Sequence, residues 1–181
     1  MWDDLETEIG ICTKCHLERI RTNPVTGKGS RKAKILFVLE SVSKKEDLKN
    51  DLLTDKKGEY FKKFLEYSKI NLSECYFTTL TKCSSHGELI ENECIVKCRD
   101  YLTTQIALLN PEYIITVGEI PTKNFIKSKE EIRDMVGKIY GYTGGIKIIP
   151  VYDLSYLLKA GDKEKWQVVK ILEEINRRIS E

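Results

Sequence analysis

Cys12 and Cys15, two residues apart in "ICTKC", are the first side chains of this sequence able to do chemistry. A tight turn lets both thiolates reach one metal centre, but a pair cannot fill a four-coordinate site. Cys83 follows a strand-like run and Cys98 lies on a helix-like run. Together the four give a two-plus-one-plus-one pattern that suits either Zn²⁺ or a [4Fe–4S] cluster. Spacing alone leaves both open. Cys94 lies one helical turn before Cys98 on the same face. Cys75 sits inside an apolar run, where a small buried hydrophobe is the simpler role. The two histidines add little, because His16 adjoins Cys15 and His86 falls in a polar loop.

Two further stretches carry reactive or charged groups. "VYDLSYLLK" (151–159) follows the apolar run "IKIIP" and presents Asp153, Ser155, Tyr156, Leu157, Leu158 and Lys159 near a strand's carboxyl end. It reads as a piece of core, a catalytic loop or a wedge for a ligand. "VTGKGSRKAK" (25–34) combines two glycines with Lys28, Arg31, Lys32 and Lys34. It is not a Walker A loop, since the glycine spacing is wrong and a strand follows rather than precedes it. A solvated charge run and a strip contacting phosphates are the two readings.

The elements that must position these groups are legible from periodicity. "ILFVL" (35–39), "CYFTTLT" (75–81), "EYIITV" (112–117) and "IKIIPVY" (146–152) are short, β-branched or aromatic, and read as buried strands. Helical patterns lie between and after them. Phe61, Phe64, Leu65 and Ser68 share one face, as do Cys94, Cys98, Leu102, Gln105 and Leu109. A last helix repeats Val168, Ile171, Leu172, Ile175 and Ile179. Strands alternating with helices predict an α/β layered fold with a mostly parallel sheet. Ligands of such sheets bind beyond the strand carboxyl ends. The segments after Leu39, after Thr81, at Gly118 and after Tyr152 are therefore where a site is expected.

The totals set bounds. A chain of 181 residues with 41% hydrophobic and 32% charged content suits one domain, 1–181, with a substantial core. A net charge of +2 means that any nucleic-acid footprint is local. No run approaches 18 apolar residues, so no membrane span is expected. The acidic start, "MWDDLETEIG", lacks the features of a signal peptide, so a cytoplasmic location is expected, where cysteines serve as thiols or metal ligands.

The order of these pieces resembles the family 4, iron–sulfur branch of the uracil-DNA glycosylase superfamily across roughly residues 8–178. "CTKCHLERIRTNPVTGKGSRKAKILFV" is similar to that family's opening of a Cys pair, a Val-x-Gly-x-Gly loop and a first strand. "ESVSKKED" stands at its Gly-Glu-Ala-Pro-Gly motif, "TKC" (81–83) at Lys-Cys-Arg-Pro-Pro, and "VYDLSYLLK" at Tyr-His-Pro-Ser-x-Leu-Leu-Arg. "CRDYLTTQIALLNPEYIITVG" (98–118) is similar to its Cys-x-x-Tyr-Leu helix, Pro turn and Gly-ended strand. The resemblance implies a three-layer sandwich around a central, mostly parallel four-stranded sheet. It implies a [4Fe–4S] cluster on Cys12, Cys15, Cys83 and Cys98, with Zn²⁺ as the alternative. It also implies DNA, single- or double-stranded, as partner, contacted by Lys28, Arg31, Lys32, Ser155, Tyr156, Leu157 and Lys159. Tyr156, Leu157 and Leu158 would fill the gap left by an extruded base. A monomer is expected, with replication or repair proteins as further partners.

The departures fall where the chemistry should be. The family's catalytic His is Asp153, its base-reading Asn is Thr79, and its stacking Phe is Leu53. Arg-Pro-Pro becomes Ser84, Ser85 and His86. In the first motif only Glu40 remains, although Glu46 and Asp47 match. An ionised Asp153 would repel a departing base, and Thr79 offers one hydroxyl where Asn offers a donor and an acceptor. Three functions follow as alternatives. One is a glycosylase of altered base choice, in which Glu40, Asp47 and Asp153 share water activation and cation stabilisation while Leu53 and Thr79 hold the base. The second is a non-catalytic member that binds DNA or a repair partner. The third is an iron–sulfur protein of electron transfer or redox sensing.

Overall fold

The computed structural model describes residues 1–181. Six strands form one sheet: β1 (Lys28–Gly29), β2 (Ile35–Leu39), β3 (Cys75–Thr79), β4 (Tyr113–Val117), β5 (Tyr140–Gly141) and β6 (Lys147–Val151). Their spatial order is β1-β3-β2-β4-β6-β5. The four central strands are mutually parallel, in the register Leu36↔Tyr76, Leu36↔Ile114 and Ile114↔Ile148. These are the four strands expected from sequence, each trimmed by no more than two residues at an end. The two edge strands pair antiparallel and widen the sheet from four to six. At two residues each, "KG" and "YG" carry no alternation to read.

Helices cover both faces: α1 (Trp2–Gly10), α2 (Lys44–Lys49), α3 (Lys56–Tyr67), α4 (Asn92–Leu109), α5 (Glu119–Phe125), α6 (Ile132–Met135), α7 (Leu154–Lys159) and α8 (Asp162–Ile179). The central strands are apolar on both sides because both sides are covered. Ile35, Phe37 and Ile115 point to a core shared with Phe61 of α3, Leu157 of α7, and Val168 and Leu172 of α8. Leu36, Val38 and Ile114 point the other way, against Leu102 and Ile106 of α4. Alternation along one strand thus feeds two cores and gives three layers. No helix is long and apolar enough to cross a membrane.

The parallel strands all end on one side, at Leu39, Thr79, Val117 and Val151. The loops leaving these ends carry most of the groups singled out above, and their backbones are held by the sheet.

Candidate functional site

Beyond those strand ends lies a cavity of about 590 Å³. Leu39 at the end of β2 and Glu40 after it, Val117 of β4, and Asp153 and Leu154 after β6 line it, together with the 85–90 loop. Glu40, Leu53 and Asp153 are thereby brought together. Asp47, Thr79 and Lys159 are not part of the lining.

Asp153 is the N-cap of α7. One carboxylate oxygen accepts from the Ser155 amide at 2.9 Å and the Tyr156 amide at 3.3 Å. This is the ordinary work of an Asp before a helix, where an oxygen acceptor satisfies free N–H groups. Gly118, at φ +99°, lies so close that an added Cβ would meet the Asp153 Cβ at 3.2 Å. The end of β4 therefore presses on the aspartate, and a side chain at 118 would be strained as well as crowded.

Glu40 is half-buried. Burial and then the negative charge of Asp153 push its carboxyl above the usual range, while Lys57 pulls the other way. A carboxylate whose proton affinity is raised is better placed to take a proton from water.

Leu53 is buried in the cavity wall with a left-handed backbone, φ +60°. Two partners hold it there. The Leu53 amide donates to Glu46 Oε1 at 2.8 Å. Gly58 packs onto it so tightly that a Cβ there would come within 2.3 Å of the Leu53 Cα. Glu46 also closes a capping box with Ser43 at the start of α2. Burial outweighs these hydrogen bonds and raises the Glu46 carboxyl above its usual value.

Asp47 lies behind the wall, fully buried. Its carboxylate accepts from the Thr22 amide at 2.9 Å, the Asn23 amide at 2.8 Å and His86 Nε2 at 2.8 Å. Burial pushes the Asp47 carboxyl up, but the bonds from His86, Asn23 and Thr22 prevail and leave it below the usual range. His86 itself is partly buried, sits at φ +53° and lines the cavity. Sequence reading passed over this histidine. Its partner is 39 positions away, so no local motif marks the pair.

Thr79 is likewise buried, and its hydroxyl donates to the Thr81 carbonyl at 2.6 Å. Below it Lys82 is fully buried, donating to Thr78 Oγ1 at 2.7 Å and the Thr79 carbonyl at 2.6 Å. Burial lowers the Lys82 ammonium to about 8, with Cys98 and Cys83 opposing.

The expected wedge is a helix. α7 turns Leu157 fully inward, 0% exposed, into the core beside α3 and α8. This corrects the reading of Leu157 as a DNA contact: at helical spacing from Leu154, it belongs to the packed face. Tyr156 remains 48% exposed, and Ser155 and Lys159 also reach solvent. On the opposite loop Leu89, unremarked in the sequence, is 86% exposed at the cavity wall.

Among the basic residues, Lys28 pairs with Asp51 at 2.9 Å, and Arg31 with Asp3 at 3.0 Å and Glu6 at 2.8 Å. Lys32 is exposed.

Cys12, Cys15, Cys83 and Cys98 line one small cavity, together with Arg21, Lys82 and Tyr101. Arg21 donates to Cys83 Sγ at 3.2 Å and to the Cys12 carbonyl at 2.9 Å. The Lys82 amide donates to Cys98 Sγ at 3.4 Å. Burial pushes the Cys83 thiol up to about 11, against the pull of Arg21. No three His, Cys, Asp or Glu side chains are drawn together tightly enough for a single metal ion. Four thiols around one space, with N–H groups aimed at two of the sulfurs, nevertheless make a donor set suited in kind to a thiolate-bound group.

The chain matches the family model of the uracil DNA glycosylase superfamily over residues 26–176. It is 30% identical to the type-4 uracil-DNA glycosylase of Thermotoga maritima, over 92% of this chain and 86% of that one. It is 29% identical to the protein of the same name from Saccharolobus solfataricus, over 99% and 85%. With that from Archaeoglobus fulgidus it shares 29% identity, over 86% and 82%.

Proposed function

The chain belongs to the uracil DNA glycosylase superfamily, on its type-4 branch, and on that footing we propose that it is a DNA repair glycosylase whose pocket has been rebuilt for a base other than uracil. The observation that carries this reading is the cavity at the strand ends, which Glu40, Leu53 and Asp153 all line. A base taken out of the stack needs such an enclosed, partly apolar pocket. Leu53 would cover the base without an aromatic face. Glu40 would take a proton from water as the glycosidic bond opens, and Asp153 would stabilise positive character on the sugar. Tyr156 and Leu89, both exposed, would occupy the space the base leaves in the duplex. Lys28, Arg31, Lys32 and Lys159 would contact phosphates.

Cys12, Cys15, Cys83 and Cys98 would hold a [4Fe–4S] cluster. The likeness to the type-4 relatives favours this over Zn²⁺, which the same four thiolates could also hold. Such a cluster would tie the segment after α1 to the start of the 83–91 loop and to α4. It would stiffen the wall on which His86 sits.

A second reading, a member that binds DNA without excising a base, is favoured by one observation. Asp153 is spent on the α7 cap, with one oxygen shared between two amides. Incubation with oligonucleotides carrying uracil, hypoxanthine, xanthine or a thymine mismatch, followed by assay for abasic sites, separates the two. The first reading expects abasic sites at one of these bases and little at uracil. Salt-dependent DNA affinity without abasic sites supports the second, and absence of both contradicts each.

A further inference from the structure

We infer that His86, held in place by Asp47, is a further catalytic residue that supplies the hydrogen-bond donor to the departing base. The inference rests on the excision reading above and adds a residue and a proton path to it.

Three observations converge. The first is place: His86 lines the same cavity as Glu40, Leu53 and Asp153, on the wall contributed by the 85–90 loop. The second is orientation. Nε2 is bound to the Asp47 carboxylate at 2.8 Å, so Nδ1 is the ring nitrogen left for a ligand. A carboxylate behind a histidine fixes the ring, and in the imidazolium form both nitrogens donate. Asp47 is in turn fixed by the Thr22 and Asn23 amides, so the pair does not depend on solvent to hold its geometry. The third is that neither position aligned with the family's base contacts supplies a donor, which leaves the task to His86 or to Lys44, Lys57 and the serines that also line the cavity. Asp153 acts as an acceptor for two amides, and the Thr79 hydroxyl is turned away to Thr81.

The step balances as a hydrolysis. The bond between the base nitrogen and the sugar carbon breaks, and its electron pair leaves with the base. Water adds to the sugar carbon and gives a proton to Glu40. His86 gives its Nδ1 proton to the base, and exchange with solvent resets both side chains. The products are the free base and an abasic sugar.

The test is single-turnover excision, with DNA affinity measured in parallel, on duplexes carrying uracil, hypoxanthine, xanthine or a thymine mismatch. His86→Asn is the first variant, because Asn tolerates the left-handed backbone at 86. His86→Gly relieves that backbone and serves if the Asn variant does not fold. Either should release the preferred base about 10²–10³-fold more slowly, as removal of one preorganised donor does, with DNA affinity kept. Excision by a folded variant at the unmodified rate overturns the inference and leaves the excision reading standing. No abasic sites from the unmodified protein overturn both.

Discussion

Asp47 is the residue on which most depends, and its surroundings give a pH dependence of definite sign. Its carboxyl is depressed in the folded protein, whereas an unfolded Asp titrates near 3.9. Within that window the unfolded chain binds more protons, so stability rises with pH there. The contribution is full above about pH 4 and is lost as the pH falls through the depressed folded value. Asp47→Asn should flatten this acid limb in denaturant melts taken from pH 7 downward. Asp47→Ala should cost roughly 3–5 kcal/mol, because it leaves a buried partner set without its acceptor. A neutral effect at pH 7 would mean that Thr22, Asn23 and His86 find water instead. Leu157 makes the contrasting case. As a fully buried side chain, its replacement by Ala should cost about 2–5 kcal/mol of stability. DNA affinity of the folded variant should hardly change, while Tyr156→Ala should weaken binding without a comparable loss of stability.

At the scale of elements, the four central strands were open to reading because each is a short run of β-branched and aromatic residues covered on both faces. Faces of helices were open too: Phe61, Phe64 and Leu65 of α3, and Leu102, Gln105 and Leu109 of α4, are all buried as their spacing requires. What hid itself was short or non-local. α7 has six residues, too few for a periodic signal, so "LSYLLK" passed for a loop and Leu157 for a wedge. Asp153 ahead of it does carry the mark of an N-cap. Thr79 was aligned with a base-reading position, but the turn after β3 bends its hydroxyl back to Thr81. Two elements make testable contacts. Gly58→Ala should displace Leu53 from the cavity wall, since the added carbon would sit 2.3 Å from the Leu53 Cα. A loss of stability together with loss of base-dependent DNA affinity is the expected pair of results. For the glycine-rich loop, Lys28, Arg31 and Lys32 changed together to Ala should flatten log affinity against log salt by roughly two to three, at about 0.9 per phosphate contact. An unchanged slope would leave Lys28 and Arg31 with only their ion pairs to Asp51, Asp3 and Glu6.

For the molecule as a whole, the scaffold and the chemistry are held by different residues. The scaffold consists of the parallel sheet, its two cores and the four cysteines around one space. Protein prepared without oxygen should be brown, with iron and acid-labile sulfide in equal amounts, whereas stoichiometric zinc without sulfide would exclude the cluster. Ser at Cys12, Cys15, Cys83 or Cys98 should weaken the fold, because metal binding is coupled to folding. In the proposed reading the chemistry belongs to the pocket, which Asp153, capping α7, and His86 both line. The central claim is that this pocket releases a base, and that the base is not uracil. Its most direct test is the single-turnover release rate from otherwise identical duplexes carrying uracil, hypoxanthine, xanthine or mismatched thymine. The expected result is abasic sites at one of the last three, with uracil at least about 10²-fold slower. Efficient release of uracil, unchanged by Asp153→Asn, would contradict it.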